Sequence, residues 1–432
     1  MFANNSSAKY FTHLMSQEVN VDDKLLKEVI GNENIEISDL QVNDFVEVGE
    51  NFTGILKGVR FSAKVNEDTN AYDVVFKFSR KMDTPGVDIS AIWFHKEISF
   101  YRKFIPYVEN WQKEKFGIVY TPIPAPNSLF GCFNRKLLVL ENLKQYRFKN
   151  AMKKLGLNFD QCCATVKTVA GFHALGVAFV QDYGESSFIS DFEYLQGTFL
   201  SFLKNEEMVK GMQKAYVNTL RTIDELLTKA YPDEAADIKN MIEYGKKRLI
   251  ADNVKKYAVA NEKFNVIGHG DLWTNNIMFK FDEHENPVDV KFIDYQLLCY
   301  STPASDLIYF IWMSGDKNVL VNKQDEILHI YYGALQRELK KFNIEISYSF
   351  DDLQKDYYGL IDFGITQCVR TSLFIDAKKE DAFDRDEIEY FFSDELQAKF
   401  SSILNQLANG ASDIAKDKLI NVVRYGKRMK LY

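Results

Sequence analysis

One stretch of the chain, residues 266–306, constrains the fold more than any other: VIGHGDLWTNNIMFKFDEHENPVDVKFIDYQLLCYSTPASD. It contains a His-Gly-Asp turn ending at Asp271, an asparagine five positions later at Asn276, and a second aspartate, Asp294, after an apolar segment. Three polar elements at fixed spacing can act together only if the fold brings them to one place.

Two short apolar segments predict how this stretch folds. Phe264–Ile267 and Val288–Ile293 have the β-branched and aromatic residues of buried strands, and Glu-Asn-Pro at 285–287 is a turn signal before the second. Pairing of the two strands in a hairpin would return Asp294 to the side of Asp271, although 23 residues separate them (294 − 271).

The residue types of the motif are those of phosphoryl transfer. Asp271 can orient a substrate hydroxyl and accept its proton. Asn276 and Asp294 offer the hard oxygen ligands that Mg²⁺ prefers. We therefore predict that Asp271, Asn276 and Asp294 are catalytic and that Asn276 and Asp294 hold the metal.

A glycine-containing turn lies upstream, in the segment VEVGENFTG at 46–54. It predicts a strand entering a tight turn, where Gly49 and Gly54 would let the backbone approach a phosphate closely. The spacing is that of the start of a P-loop, but Ile55 stands at the position of its lysine, so we reject that motif. On the residues alone, a plain hairpin explains the segment equally well.

A lysine and a glutamate follow on neighbouring predicted elements. Lys77 lies in a predicted strand, Tyr72–Phe78, and Glu97 is the only carboxylate on the apolar stripe of a predicted helix, Ile89–Val108. Such a pair positions nucleotide phosphates in kinase-like folds. The alternative for this pair is a salt bridge at the protein surface.

The catalytic stretch resembles that of the ecdysteroid kinase-like family, which is related to choline kinases and aminoglycoside phosphotransferases. The matching segments are His269–Trp273, Asn275–Met278, Ile293–Gln296, Pro303-Ala304 and Asp306-Leu307. A looser likeness, continuous in order, extends from about Gly49 to Gly364. The resemblance implies an α+β, bilobal protein-kinase-like fold with a small β-rich N-terminal lobe and a larger, mostly helical C-terminal lobe.

The resemblance also implies a domain organisation and ATP as co-substrate. A helical preamble at 1–40 would precede the nucleotide-binding lobe at 41–143 and the catalytic and substrate-binding lobe at 144–432. In the N-terminal lobe, Gly49 and Gly54 would belong to the loop over the nucleotide, with Lys77 on its phosphates and Glu97 fixing Lys77.

Further roles at the hinge and around the catalytic turn follow from the same resemblance. After a predicted strand at Lys136–Leu140, the backbone of Glu141 and Leu143 would bind the adenine edge, with Asn142 where the family commonly has aspartate. His269 would support the catalytic turn. Asp306 would brace the same turn and cap the helix that follows.

From Asp160 onwards the chain has helical periodicity, and two of its features need interpretation. Asp362-Phe363-Gly364 spells the Mg²⁺-binding tripeptide of protein kinases, yet it lies in a helical pattern 91 residues beyond Asp271 (362 − 271), so we interpret it as coincidence. His173 on an apolar helix face is predicted to be a packed core histidine. The predicted helices are Ile189–Asn261 (a helical region), Lys323–Phe342, Ser349–Arg370, Asp386–Leu407 and Ala411–Arg428.

Composition excludes several classes of protein. A net charge of −8 argues against a nucleic-acid-binding surface, and five cysteines without metal-ligand spacing indicate reduced thiols. The first residues lack the apolar core of a secretory signal, and the apolar run at 307–313 is shorter than the roughly 20 residues of a membrane span. We expect a cytoplasmic monomer without nucleic-acid or membrane partners.

The predicted function is ATP- and Mg²⁺-dependent phosphorylation of a hydroxyl on a small molecule. An aromatic content of 14% and the absence of an evident anionic cage favour an ecdysteroid or a similar bulky alcohol. The alternatives are a kinase of the choline or aminoglycoside type and a nucleotide-binding pseudokinase without catalysis. A protein kinase is disfavoured because the chain lacks the Gly-x-Gly-x-x-Gly, His-Arg-Asp and Ala-Pro-Glu signatures.

Overall fold

The computed structural model describes residues 21–45, 54–66, 68–79, 89–152, 155–195, 206–248, 252, 256–376 and 394–432. The fold is α+β, as predicted, with a five-stranded antiparallel sheet in the N-terminal region and mostly helices in the C-terminal part. This is the two-lobe arrangement of kinase-like folds. The boundaries placed at residues 40 and 143 stay predictions.

The N-terminal sheet has the strand order β1-β2-β3-β5-β4. The strands are β1 (Glu36–Asp44), β2 (Gly54–Val65), β3 (Asp68–Ser79), β4 (Ser128–Cys132) and β5 (Leu137–Glu141). Strand β1 was not predicted, because its mixed sequence EISDLQVND is largely exposed and leaves no clear alternation. The neighbouring strands β3 and β5, both inside the sheet, contain the strands predicted at Tyr72–Phe78 and Lys136–Leu140.

Alternation along β5 divides the sheet between two hydrophobic cores. Leu137 and Val139 pack on the core beneath helix α1 (Asp23–Ile30), whereas Leu138 and Leu140 belong to the large core shared with the C-terminal helices. Helix α1 lies within the segment predicted as a helical preamble, and Asp22 and Gly31 cap it at its two ends.

The helix predicted at Ile89–Val108 is longer than expected and is interrupted once. It consists of α2 (Ile89–Ser99), a π-helical turn (Phe100–Phe104) and α3 (Ile105–Phe116). The rings of Phe100 and Phe104 are buried in the large core, where Phe100 stacks on Tyr295 at 4.3 Å between centroids. The helix thus connects the sheet to the catalytic stretch.

The C-terminal part is built on one central helix, α4 (Phe159–Tyr183), which begins with a capping box at Asn158 and Gln161. By length and hydropathy α4 could cross a membrane, but 72% of its apolar window is buried inside the protein, and core helices of soluble proteins pass the same test. The helices that follow are α5 (Glu185–Asp191), α6 (Glu206–Ala230), α7 (Ala235–Lys246), α8 (Pro303–Ser314), α9 (Gln324–Lys341), α10 (Phe350–Gly359), α11 (Ile361–Asp376), α12 (Asp394–Asn409) and α13 (Asp413–Arg428).

The predicted pairing within the catalytic stretch is wrong, although both predicted segments contain strands. Strand β9 (Pro287–Phe292) pairs with β8 (Ile277–Phe281), which also pairs with the short β6 (Lys149–Asn150). Strand β7 (Val266–Gly268) pairs instead with β10 (Cys299–Ser301). The tight turn at 282–286 joins β8 to β9, because strands adjacent in the chain close a short hairpin more readily than distant ones.

The Asp-Phe-Gly tripeptide at 362–364 lies within a helix, as its helical pattern predicted. It lies in α11, which is separated from α10 at Leu360, so the single predicted helix over Ser349–Arg370 is two helices. Asp362 pairs with Arg248 at 3.0 Å and accepts a hydrogen bond from Tyr244. A Cβ at Gly364 would lie 2.6 Å from Trp312 Cδ1, so this glycine allows α11 to pack closely on α8.

Replacement of two helical glycines by alanine should have opposite effects on stability. We expect Gly364→Ala to lower the free energy of unfolding by roughly 1–3 kcal/mol, since the added methyl group overpacks the core against Trp312. Gly171→Ala in α4 meets nothing within 4 Å and should raise stability by roughly 0.5–1 kcal/mol. Urea denaturation of both variants measures the difference, and equal effects would contradict this account of Gly364.

Candidate active site

A buried lysine joins three distant parts of the chain. Lys77 Nζ, on β3, lies 2.7 Å from Glu97 Oε2 on α2 and 2.7 Å from Asp294 Oδ1 after β9. Lys77 is 5% exposed and Glu97 is fully buried, which excludes the alternative of a surface salt bridge. The structure therefore brings together the predicted Lys77–Glu97 pair and the predicted metal ligand Asp294.

The charges of this group are unbalanced, with one ammonium and two carboxylates. Burial lowers the pKa of Lys77, but the carboxylates of Asp294 and Glu97 outweigh this effect and raise it well above its ordinary value. Burial raises the pKa of Glu97 to about 7, against the attraction of Lys77. Of the two carboxylates, only that of Asp294 is partly exposed, with 17% of its side chain accessible, so Asp294 is the one that a cation can reach.

Two of the three predicted catalytic residues are joined by direct hydrogen bonds. Asn276 Nδ2 donates to Asp271 Oδ2 and to the Asp271 carbonyl oxygen, both at 2.9 Å. The Ile293 amide donates to the Asn276 carbonyl oxygen at 3.0 Å and so places Asp294 beside this loop. Asp294 itself has a left-handed backbone, with φ 65° and ψ 59°, a conformation unusual outside glycine.

The side chain of Asp306 binds backbone amides of the catalytic turn. Its carboxylate accepts from the His269 amide at 2.7 Å and from the Gly270 amide at 2.8 Å. Although burial alone would raise the pKa of Asp306, the hydrogen bond from His173 and the nearby donors lower it. The expected bracing contact is present, but the expected cap is wrong: the Thr302 side chain caps α8, and Asp306 lies in its first turn, turned towards the loop.

The two predicted structural histidines are buried in this support. His173 lies between Asp306 Oδ2, at 3.1 Å, and the Tyr331 hydroxyl, at 2.7 Å, as expected of a packed core histidine. His269 Nε2 lies 3.1 Å from the Ile293 carbonyl oxygen, and burial lowers the pKa of His269. His269 therefore connects the catalytic turn to the residue that precedes Asp294.

Gly270 is required by the shape of the turn. Its φ is 78°, and a Cβ at this position would lie 1.9 Å from the Leu297 carbonyl oxygen. Tyr257 supports the turn from below, since its hydroxyl donates to the Gly270 carbonyl oxygen at 2.8 Å. The loop after Asp294 thus passes so close to the turn that only glycine fits.

The predicted nucleotide-binding loop is described only in part. Gly49 lies outside the described residues. Gly54 begins β2 opposite Ser79, and a Cβ there would be 2.8 Å from the Phe78 carbonyl oxygen and 3.6 Å from Lys77 Cγ. Gly54 therefore lies against the strand that carries Lys77.

The predicted hinge follows β5 and is fixed by side chains. The Glu141 amide donates to the Asn127 carbonyl oxygen at 2.9 Å, and the Glu141 carboxylate accepts from the Asn127 amide at 2.8 Å. Asn142 Nδ2 donates to Asp73 Oδ1 at 2.7 Å, and Asn142 caps the short 3₁₀ turn that begins at Leu143. Asn142, where the family commonly has aspartate, therefore fixes the hinge to β3 through Asp73, which the sequence did not predict.

Two residues of the site were missed in the sequence. The Tyr309 hydroxyl, on α8, donates to Asp271 Oδ1 at 2.8 Å. Lys96, next to Glu97, donates to the Leu298 carbonyl oxygen at 2.5 Å and is 2% exposed. The position of Tyr309 one helical turn after Asp306 was the available signal, whereas nothing in the sequence marked Lys96.

The donor set fits a magnesium ion that also binds substrate phosphates. Asn276 uses its Nδ2 on Asp271, so its Oδ1 is left as an acceptor, and Asp294 adds a carboxylate. Within the described ranges, no cluster of three or more His, Cys, Asp or Glu residues could hold a metal by itself. Mg²⁺ typically takes one or two protein ligands and completes its shell with phosphates and water.

A comparison with known families agrees with the motif. Residues 48–344, more than half of the chain, match the family described as the ecdysteroid kinase-like family. No curated protein matches the chain. The suspected family is therefore confirmed.

Substitution of Gly270 tests the close approach of the two loops. Gly270→Ala should lower the free energy of unfolding by more than the roughly 1–2 kcal/mol that a left-handed backbone costs an L-residue, because its Cβ also clashes with Leu297. Gly31→Ala is the matched control, with φ 77° and nothing within 4 Å, and should lose only the backbone cost. Equal losses in chemical denaturation would refute the clash.

The buried Lys96 predicts a pH-dependent difference in stability. Burial lowers its pKa from 10.5 to about 8, so the unfolded chain binds more protons than the native state between these values. The stability of the wild type should therefore rise relative to Lys96→Met between pH 8 and pH 10, by roughly 2–3 kcal/mol. Urea denaturation of both proteins at pH 7, 8 and 10 measures this, and a pH-independent difference would contradict it.

Proposed function

Because the chain belongs to the ecdysteroid kinase-like family, we propose that it transfers the γ-phosphoryl group of ATP, in the presence of Mg²⁺, to a hydroxyl of a small molecule. The family itself supports a kinase-like phosphotransferase of small molecules in general terms. The observation that carries the specific proposal is the buried Lys77–Glu97–Asp294 group, connected through Ile293 and Asn276 to Asp271.

Each residue in this proposal has a task that follows from its contacts. Lys77, held by Glu97, binds the phosphates of ATP once it exchanges its contact with Asp294 for them. Asn276 and Asp294 hold Mg²⁺, which supplies charge neutralisation on the transferred group. The backbone of Glu141 and Leu143 binds the adenine edge, and Gly49 and Gly54 flank the loop over the phosphates.

Asp271 acts on the acceptor. It accepts the hydroxyl proton as the oxygen forms its bond to the γ-phosphorus and the bond from that phosphorus to the β–γ bridging oxygen breaks, leaving ADP. Tyr309 and Asn276 fix the two carboxylate oxygens by hydrogen bonds of 2.8 and 2.9 Å, so that the carboxylate cannot rotate away from the acceptor. Such positioning accounts for much of the rate of phosphoryl transfer.

The acceptor proposed is an ecdysteroid or a similar bulky alcohol. This is supported by the family and by the partly exposed ring of Tyr309, whose hydroxyl donates to Asp271 Oδ1. The enzyme is proposed to be a cytoplasmic monomer, in keeping with its five free cysteines.

Two aspartate substitutions test the proposed reaction. Asp271→Asn and Asp294→Asn should each reduce phosphoryl transfer from Mg·ATP by roughly 10²–10⁴-fold, because the first removes the proton acceptor and the second removes the negative charge of a metal ligand. Turnover is measured with labelled ATP across a panel of ecdysteroids, choline, ethanolamine, aminoglycosides and plant glycosides.

Asp362→Asn provides the matched control, since Asp362 lies in the structural Asp-Phe-Gly tripeptide of α11. This variant should keep its turnover. Near-normal transfer in Asp271→Asn or Asp294→Asn, with both proteins folded, would defeat the assignment. Binding of ATP without transfer to any acceptor by the wild type would instead support a pseudokinase.

A further inference from the structure

Trp273 follows the proposed catalytic aspartate by two positions. Its backbone is extended, with φ −141° and ψ 171°, and two residues of an extended chain span at most about 7 Å. The Asn276 amide donates to the Trp273 carbonyl oxygen at 2.8 Å, while the Asn276 side chain donates to Asp271 Oδ2 at 2.9 Å. One asparagine thus fixes both the backbone of Trp273 and the carboxylate that would meet the acceptor.

The burial of neighbouring side chains indicates which way the indole of Trp273 points. Side chains of an extended segment point alternately to opposite sides. Leu272 is fully buried, whereas Asp271 and Trp273 are both partly exposed. The indole and the catalytic carboxylate therefore lie on the same, accessible side of the segment, and Leu272 anchors the segment in the core from the other side.

The fold makes little use of the polar and aromatic groups of this side chain. Among the described residues, neither a hydrogen bond nor a contact with another aromatic ring involves the indole of Trp273, and its N–H is not a buried atom. In contrast, Trp111 donates its N–H to Asp182 at 2.7 Å. Trp312 is fully buried, with its ring against Tyr425. Trp273 therefore has an aromatic ring and a hydrogen-bond donor available to a ligand.

The chemistry of an indole indicates which acceptor suits this place. A single partly exposed apolar side chain is common and carries no function by itself, but this one lies beside the proposed proton acceptor. An indole offers a large, rigid apolar face and a polar N–H at its edge, which match a flat ring system that carries an oxygen. Quaternary ammonium groups are instead held in cages of aromatic rings, and no second ring contacts Trp273 among the described residues.

We propose that Trp273 binds the body of the acceptor: its indole packs on a flat, uncharged ring system and donates its N–H to an oxygen of that system, while the acceptor hydroxyl meets Asp271. This inference rests on the proposed phosphotransferase function and narrows its substrate class. Trp273 is then a specificity-determining residue that favours fused-ring alcohols over choline and over open-chain polyols.

The test compares three hydroxylated probes that differ in shape and charge. They are ecdysone, which has fused rings, sorbitol, which is an uncharged open chain, and choline, which is a small cation. Their dissociation constants are measured by calorimetry on the full chain in the presence of a non-hydrolysable Mg·ATP analogue. The wild type should bind ecdysone at least tenfold more tightly than either of the other two.

Two variants connect this preference to the indole. Trp273→Leu removes the ring and should raise the dissociation constant of ecdysone at least tenfold, while that of the ATP analogue changes less than twofold. Trp273→Phe keeps a ring without the N–H and should give an intermediate value. Tyr120→Leu is the matched control, since it removes a ring that is 45% exposed and lies outside the catalytic stretch. It should leave the binding of ecdysone unchanged.

Tryptophan fluorescence reports direct contact, which a merely structural role of Trp273 would not produce. Ecdysone should change the emission of the wild type, because the probe covers a partly exposed indole. The change should be lost in Trp273→Phe, although the other three of the four tryptophans remain.

The outcomes separate this proposal from the proposed function. If the wild type binds ecdysone no more tightly than sorbitol or choline, the role of Trp273 is overturned, even if Trp273→Leu fails to fold. An unchanged dissociation constant of ecdysone in folded Trp273→Leu overturns it as well. Binding of ecdysone that depends on Trp273, without phosphoryl transfer, would support the acceptor site and count against catalysis. Transfer to choline that is unaffected by Trp273→Leu would support catalysis and overturn the acceptor site.

Discussion

The structure of the site depends first on the buried carboxylate of Asp306. It is 1% exposed and satisfies the two backbone amides of the catalytic turn, at His269 and Gly270, while His173 stabilises its charge. An ionised group in the core costs several kcal/mol unless it is paired and hydrogen-bonded, so the turn and its support form or fail together. The same helix α8 that carries Asp306 also presents Tyr309 to Asp271, and one element thereby positions both the turn and the Asp271 carboxylate.

The Lys77 ion pairs also depend on how the N-terminal sheet is packed against the helical part of the protein. Lys77, Glu97 and Asp294 come from three elements, and their contacts of 2.7 Å hold only if the sheet, α2 and the loop after β9 keep their relative positions. The large hydrophobic core maintains these positions, because it includes residues of β5 and α2 as well as the C-terminal helices. Lys96 adds a direct bond from α2 to the Leu298 carbonyl oxygen, beyond the same loop.

Much of this arrangement could be predicted from the sequence, because local motifs carry it. The order of Lys77, Glu97, Asp271, Asn276 and Asp294 was sufficient to predict which side chains belong to one site, and the family match agrees with it. The pairing of β7 with β10 could not be predicted, since no local pattern encodes it. The hairpin of β8 and β9 is local, and it was missed because Ile277–Phe281 was not recognised as a strand. Lys96 was missed for a related reason, because its partner Leu298 lies 202 residues further along the chain. Tyr309 had a signal in the sequence, its position one helical turn after Asp306 on α8.

The π-helical turn at Phe100–Phe104 joins α2 to α3, and contacts at both ends of this continuous helical segment constrain the number of residues between them. Upstream of this turn, α2 points Glu97 at Lys77, and downstream α3 fastens to α4 through Trp111 Nε1, which donates to Asp182 Oδ2 at 2.7 Å. One residue added or removed between these two anchors would rotate one relative to the other by about 100°. Insertions and deletions should therefore be rare between Glu97 and Trp111 in natural variants of this chain. The number of residues between these two anchors sets the direction in which Glu97 points, and so keeps Glu97 aligned with Lys77.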